Sequence, residues 1–402
     1  MREGPAVTLR GRTIGVVFGS RSVEHEISIL TACQLMPVLR QLGAAVVPLY
    51  ITKGGRWLTR PDFDAVAAFR EQLPEDGDPV RLDLAAGRWL AGGGSLLGRP
   101  RPLPLDALFP CTHGAFGEDG TLAGLAALAR TPLVGCGPLA AALAMDKWQC
   151  KRVLAAAGLP VVPGRLVRRT GDDPADGTLQ QAAAAAAAEL GFPLVVKPNG
   201  GGSSIGVSRV DGPEALPAAV TVAATYDPAV LLEPAVPSAV DLNCAVKARP
   251  PRASEVERPL GAATVLSYAD KYVTGGKLGG KEAAVEGMKQ ARRELPARIP
   301  TALRARVQEL AVAAYEAVGC RGGVRVDFLG SGPDGADLVV NELNPIPGSL
   351  AFYLWEATGV PFAALVEELV TDALAPGPAV ERSLPGNLLG PGALLAKGPA
   401  VS

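Results

Sequence analysis

A chain of 402 residues exceeds what one ordinary hydrophobic core organises, so two or three domains are expected. With 48% hydrophobic and 20% charged residues, the composition is that of a folded protein and excludes a largely disordered one. Lys plus Arg (39) balance Asp plus Glu (40), and a formal net charge of -1 gives no electrostatic case for nucleic acid or an anionic membrane as a main partner.

The amino-terminal segment carries Arg10 and Arg12 where a secretory signal would be apolar, and the alanine run 182–188 is too short to span a bilayer. A cytoplasmic protein is expected. The six cysteines (33, 111, 136, 150, 244 and 320) show no C-x-x-C spacing, so they read as reduced, mostly buried thiols.

In chain order, "TIGVVFG" (13–19) reads as a strand. The helix after it has Ile27, Leu30 and Leu35 recurring at helical intervals. "AAVVPLYI" (44–51) is the next strand, the Gly/Pro/Arg-rich stretch 55–104 has no clear pattern, and "DALFPCTHG" (106–114) is a strand. A helix in "TLAGLAALAR" and a short strand in "PLVG" complete an alternation that predicts a parallel sheet covered by helices.

A second unit is expected from Gly137. It opens on one long helix, "PLAAALAMDKWQCKRVLAAAGLP", stopped by Gly158 and Pro160. The stretch "VVPGRLVRR", an Ala-rich helix over 179–190, a strand over 193–197, a glycine-rich loop, a helix near 213–224 and "AVLLEPAV" follow. A third unit, from about 240, has strands at 241–248 and 260–267, an irregular stretch 268–300 and a helix over 302–318. The strands "GGVRVDFLG" and "ADLVVNELN" and helices near 349–358 and 361–374 complete it. The expected boundaries are 1–136, 137–240, 241–375 and a Pro/Gly-rich tail over 376–402.

Several motifs carry chemistry. "KPNGGGSSIGV" (197–207) ends a strand in Lys197 and then discards side chains. It is either a mobile hairpin turn or a phosphate cradle, in which bare backbone N–H groups and serine hydroxyls meet an anion and the lysine adds charge. In "VRVDFLG…LVVNELNPIPG", alternation places Arg325 and Asp327 on one face of a strand, and Glu342 and Asn344 on one face of another. Three oxygen donors (Asp327, Glu342, Asn344) suit a hard cation such as Mg²⁺, although a solvated polar face would look the same. "GSRSVEHEIS" puts Glu24, His25 and Glu26 at a helix start, where capping also explains acidic residues. "CTHGAFGEDG" follows a strand end with His113, glycines and two carboxylates; a structural histidine is an equal reading there.

Taken in order, "GSRSVEHEIS", "HGAFGEDGTLAGL", "MDKWQCKRVL", "PLVVKPNGGGSSIGV", "ADKY", "GGVRVDFL" and "NELNPIPG" resemble the D-alanine–D-alanine ligases of the ATP-grasp superfamily, from about residue 13 to 370. The resemblance implies an α/β fold in three parts: an amino-terminal parallel α/β domain, a central α+β lid, and a carboxy-terminal catalytic domain. It implies that ATP phosphorylates the carboxylate of one D-alanine and the amine of a second attacks the acyl phosphate, in peptidoglycan precursor synthesis. The ATP-binding set would be Lys147, Lys197, Ser204, Glu233, Asp241 and Lys271, with Glu233 at the adenine and Asp241 at the ribose. Asp327, Glu342 and Asn344 would bind two Mg²⁺ ions, with Mn²⁺ as an alternative. Glu24 would pair with the first substrate's ammonium, and Ser203 with Tyr272 would lock the glycine loop. Arg325, aided by backbone near Gly348, would stabilise the oxyanion, while His113, Ser349 and Tyr353 would line the substrate site. A homodimer is implied by the family alone.

Three places depart from that pattern. Tyr353 stands where the family has a serine that helps hold the second carboxylate. The loop after Tyr272 is long, and Asp241 replaces the usual glutamate after an apparent one-residue insertion. Arg292 and Arg293 are candidates for the missing carboxylate contact. A related ligase with another acceptor, such as a D-hydroxy acid, is the alternative; a non-catalytic ATP-binding protein is the reading from another class.

Overall fold

A computed structural model of the chain describes residues 9–93, 99–247, 250–260, 293–331 and 337–375. Lys271, Tyr272, Arg292, most of the long loop and the tail over 376–402 lie outside the described residues, as does most of the strand expected at 260–267.

The first sheet holds β1 (Thr13–Gly19), β2 (Ala45–Ile51), β3 (Trp57–Thr59), β4 (Asp78–Asp83), β5 (Arg88–Ala91), β6 (Arg101–Leu103) and β7 (Ala107–Pro110), in the order β6-β5-β4-β3-β2-β1-β7. Only β2-β1-β7 is parallel, and the other pairs are antiparallel. The expected all-parallel sheet is therefore a mixed one. The patternless stretch after residue 55 became short antiparallel edge strands, whose three to six residues are too few to display a period. "PLVG" contributes only an isolated bridge between Leu108 and Leu133.

Helix α1 (His25–Gln41) covers this sheet with the stripe Ile29, Ala32, Leu35, Met36 and Leu39, all buried at helical spacing. Ile27 is buried as well, but Leu30 is only half-buried, because Ile29 takes the inward position. After α2 (Thr121–Leu128), the expected long helix is two: α3 (Pro138–Met145) and α4 (Lys147–Ala156). Asp146 leaves the helical region between them and caps the second helix, its Oδ1 accepting from the Gln149 N–H at 2.9 Å.

The second sheet is formed by β8 (Arg165–Arg168), β9 (Leu194–Pro198), β10 (Ser208–Val210) and β11 (Ala229–Pro234), in the order β10-β9-β11-β8. Helices α5 (Gly177–Leu190) and α6 (Leu216–Tyr226) pack on it through Leu179, Ala183, Ala187, Leu216, Val220 and Ala223. The third sheet contains β12 (Ala239–Lys247), β13 (Arg252–Pro259), β14 (Arg293–Glu294), β15 (Val324–Ser331) and β16 (Val339–Asn344), in the order β14-β13-β12-β15-β16. Helix α7 (Thr301–Val318) backs it. The buried apolar residues of α3 and α4 join this third core, not that of the second sheet. The packing thus differs from the unit expected to begin at residue 137. Finally α8 (Phe352–Ala357) and α9 (Phe362–Leu374) bury Phe352, Leu354, Trp355, Leu365 and Val366 in one cluster with Phe18, Met36 and Phe109 of the first sheet's layer. No single described helix is long and apolar enough to cross a membrane. All six cysteines are free thiols, five of them buried.

Candidate active site

The antiparallel register of β15 and β16 sets Asp327 opposite Glu342 and Arg325 opposite Asn344, so all four side chains leave the same face. Arg325 grips Asp327 with two nitrogens, Nε to Oδ1 at 2.6 Å and Nη2 to Oδ2 at 2.7 Å, and Asn344 Nδ2 donates to the same carboxylate at 3.0 Å. Burial opposes charge on the Arg325 guanidinium, yet the Asp327 carboxylate beside it holds its pKa well above the ordinary value. Lys147 approaches Glu342 at 3.3 Å. Among the described residues no group of three His, Cys, Asp or Glu side chains forms a metal cluster. The donor set is two carboxylates and one amide, all hard oxygens, with neighbouring cations now compensating the carboxylates. That chemistry fits Mg²⁺ arriving together with phosphates, which bring the further oxygen ligands such an ion requires.

The glycine loop faces this row. Ser203 and Ser204 adopt consecutive left-handed conformations, with φ of 51° and 59°, and Gly206 follows at 73°. Successive residues of this kind turn backbone N–H groups toward a common point and make an anion nest. Gly206 has a packing reason too, since a Cβ there would lie 2.7 Å from the Tyr226 ring. The Ser203 hydroxyl donates to Glu24 Oε1, linking the loop to the start of α1 across the cleft. Glu24 Oε2 is buried without a hydrogen-bond partner and lies where a Cβ on Gly114 (2.9 Å) or Gly202 (2.8 Å) would collide with it. A buried carboxylate with one unmet oxygen favours a cationic or donor group of a ligand as its partner.

Lysines gather at the loop's base. Lys147 Nζ donates to the Gly201 carbonyl. Lys197 Nζ lies 2.7 Å from Glu233 Oε2, and Lys151 Nζ pairs with Glu233 Oε1. Burial disfavours the Glu233 charge, but the two ammonium groups outweigh it and hold the carboxyl below its ordinary pKa. Burial is also the main cause of the Lys151 pKa falling to about 8, aided by Lys197. The α4 amino terminus is tied to the same loop, since the Lys147 N–H donates to the Asn199 carbonyl (3.2 Å) and the Trp148 N–H to Asn199 Oδ1 (2.9 Å). Asp241 lies on β12, exposed, two residues from Asn243 on the same face of the third sheet.

His113 is buried, with Nε2 3.1 Å from Thr31 Oγ1. Burial lowers its pKa, partly offset by the nearby Glu24. His25 is structural: its ring bridges the Ser20 carbonyl (2.7 Å) and the Tyr50 hydroxyl (3.1 Å). Gly348 opens a turn in which Ser349, Leu350 and Ala351 all have left-handed backbone, with φ of 49°, 55° and 49°. Ser349 is buried within it, and the turn delivers Tyr353 to the site, its hydroxyl 3.1 Å from Glu257 Oε2.

Four residues here were not singled out by sequence reasoning. Glu118 accepts from the Gly114 N–H (2.8 Å) and the Ile346 N–H (3.1 Å), stapling the first sheet's layer to the "NPIPG" turn. Burial first, then Glu24, push its pKa up to about 8. Lys151 stands one helical turn after Lys147, a spacing that could have flagged it. Asn199 and Glu257 had only weak local signals.

Comparison with known proteins matches this architecture. The family model for the D-ala D-ala ligase N-terminus matches residues 13–136, and that for the D-ala D-ala ligase C-terminus matches 153–371. The D-alanine–D-alanine ligase of Mycobacterium ulcerans is 36% identical over 377 residues, covering 90% of this chain and 96% of that protein. That of Kineococcus radiotolerans is 37% identical over 381 residues, with the same coverage. Among solved structures, the VanG D-Ala:D-Ser ligase from Enterococcus faecalis aligns with a TM-score of 0.73 at 27% identity, covering 90% of this chain and all of that one. The D-alanine–D-alanine ligase from Coxiella burnetii aligns at 0.71 and 27%, covering 90% and 94%. This chain belongs to the D-alanine–D-alanine ligase family.

Proposed function

We propose that the protein joins two D-alanine molecules at the expense of ATP, forming the dipeptide used in peptidoglycan precursors. The observation that carries this reading is the Ser203–Glu24 hydrogen bond, which closes a phosphate-type glycine loop onto a carboxylate with one unmet oxygen. ATP would lie between the second and third sheets, its phosphates on the Ser203–Ser204 nest and held by Lys147 and Lys197, with Glu233 toward the base and Asp241 toward the ribose. Asp327, Glu342 and Asn344 would hold Mg²⁺, which when bound neutralises charge on the transferring phosphoryl group.

In the first step a carboxylate oxygen of the donor D-alanine attacks the γ-phosphorus. An O–P bond forms, the bond to the β-phosphate bridging oxygen breaks, and ADP leaves. Glu24 would hold the donor ammonium near His113 and Glu118. In the second step the unprotonated amine of the acceptor attacks the acyl carbon. Arg325 would stabilise the resulting oxyanion with backbone near Gly348, and collapse expels phosphate, which takes up the proton that the new amide nitrogen sheds. The closed loop excludes water, which would otherwise hydrolyse the acyl phosphate. The domains, beyond the matched segments, are proposed as an amino-terminal layer, a central lid and a carboxy-terminal catalytic layer. A cytoplasmic homodimer is the expected setting.

Phosphate release should require ATP, Mg²⁺ and D-alanine together, with D-alanyl-D-alanine as the product seen by mass spectrometry. ATP turnover that yields no dipeptide would overturn the proposal.

A further inference from the structure

The face that carries Asp327 holds another buried carboxylate, Glu257, which no step above uses. Cross-strand register runs from Glu342 to Asp327, from Asp327 to Asn243 and from Asn243 to Glu257. Glu257 therefore stands on the same face, two strand spacings or about 10 Å from Asp327. It is 4% exposed. Two donors converge on its Oε2, Asn243 Nδ2 at 3.2 Å and the Tyr353 hydroxyl at 3.1 Å, and Arg293 forms an ion pair with Oε1 at 3.1 Å. The Arg293 guanidinium lies over the Tyr353 ring, 4.1 Å from its centroid. Burial, and then the Glu257 charge, keep the Tyr353 hydroxyl protonated and hence able to donate.

The position of this cluster indicates its use. Arg325 interacts electrostatically with His113 and also with Tyr353 and Glu257. The His113 side already holds Glu24, with its unmet oxygen for the donor ammonium, and Lys147 and Lys197 take the phosphate side. The acceptor is left with the Tyr353 side. A buried carboxylate with two donors and an ion-paired guanidinium fixes its partners rigidly, and truncating it would remove their common acceptor.

We infer that Glu257 is a positioning residue for the acceptor: through Tyr353 and Arg293 it sets the wall met by the incoming amine, and the pocket so formed takes a small D-2-amino acid whose carboxylate faces the Arg293 cation. The inference rests on the ligase reading. It differs from that reading in concerning only the second half-reaction.

The test separates the halves. Positional isotope exchange in γ-¹⁸O-labelled ATP, with D-alanine as donor, follows acyl phosphate formation, and dipeptide formation yields separate KM values for the two D-alanine sites. In Glu257→Gln the acceptor KM should rise about ten- to a hundredfold, the range for losing hydrogen bonds to a charged group, while exchange and the donor KM change far less. Tyr353→Phe, which keeps the ring and removes one donor, should shift the acceptor KM in the same direction by less, and Glu257→Asp should restore part of the loss. Discrimination among D-alanine, D-serine and D-lactate should change in both Glu257→Gln and Tyr353→Phe. Donor and acceptor KM values that move together, or an acceptor KM that stays put in Tyr353→Phe and Glu257→Gln, would overturn the inference and leave the ligase reading standing. Absence of exchange in the unmodified enzyme would overturn the ligase reading, and the inference with it.

Discussion

The first and third sheets and the second sheet are attached to the molecule by different physics. One continuous apolar cluster runs from Phe18, Met36 and Phe109 to Ala245, Ile346, Leu354 and Val366, so the amino-terminal layer and the end of the chain share a core. The second sheet has its own small core, built largely of alanine, leucine and valine. The contacts described between its loop and the rest are polar: Ser203 to Glu24, Gly201 to Lys147, Asn199 to the start of α4, and Lys197 to Asn341 at 3.4 Å. Apolar cores resist opening because their burial is lost as a whole, whereas polar contacts exchange readily with water. On the proposed reading, the shared core would serve as a platform and the polar seam as a cover that lifts to admit ATP.

The sharpest way to break this comparison is a matched pair of core truncations. Leu354→Ala, in the shared core, and Leu232→Ala, in the second sheet's core, each remove a fully buried leucine and should cost about 2–5 kcal/mol. Leu354→Ala should lower the melting temperature of the whole chain. Leu232→Ala should instead raise hydrogen exchange mainly within 165–234; a single cooperative loss everywhere would show that the cover is not a separate unit.

Next is Arg325→Met. It removes the proposed oxyanion donor and should lower kcat by about 10²–10³-fold, equivalent to about 2.7–4 kcal/mol. Binding of a non-hydrolysed ATP analogue, measured by calorimetry, should change far less, since Lys147 and Lys197 remain.

A pH effect belongs to the platform. The folded-state pKa of Glu118 is raised to about 8. The folded protein therefore binds a proton that the unfolded chain releases in the ordinary carboxylate range, and stability should fall as pH rises from that range toward 8. Glu118→Gln should flatten that slope in thermal melts, and an unchanged slope would remove Glu118 as its source.

The smallest effect on stability is expected from Ser203→Ala. Losing one hydrogen bond across the seam should cost roughly 1 kcal/mol of closure and raise the KM for the donor while leaving the melting temperature nearly unchanged. A large melting shift would mean that the seam is structural.

What the sequence made legible follows from the range of the signal. Alternation correctly put Arg325 with Asp327 and Glu342 with Asn344, because side-chain direction along a strand is a two-residue property. The turn of the glycine loop was legible because a glycine- and serine-rich run accepts left-handed backbone at little steric cost. The charged strand β13, "RASEVERP", was missed in favour of a more apolar stretch further on, since its polar side chains are satisfied by distant partners such as Arg304, Glu368 and Tyr353 rather than by an apolar core. The break at Asp146 was missed because helical periodicity continues across it, and only the cap geometry interrupts the helix.

The sequence by itself determined the kinds of group available: a glycine-rich loop after a lysine, hard oxygen donors, an arginine beside them and a carboxylate at a helix start. Tertiary structure alone decided which of these meet. Strand register aligned Glu257 with Asp327 across strands far apart in the chain, and the fold brought Glu118 to the Ile346 N–H and Ser203 to Glu24. The physical reason is that a buried charge is settled by its nearest partners in space, and register and packing choose those partners at sequence separations where no local period survives.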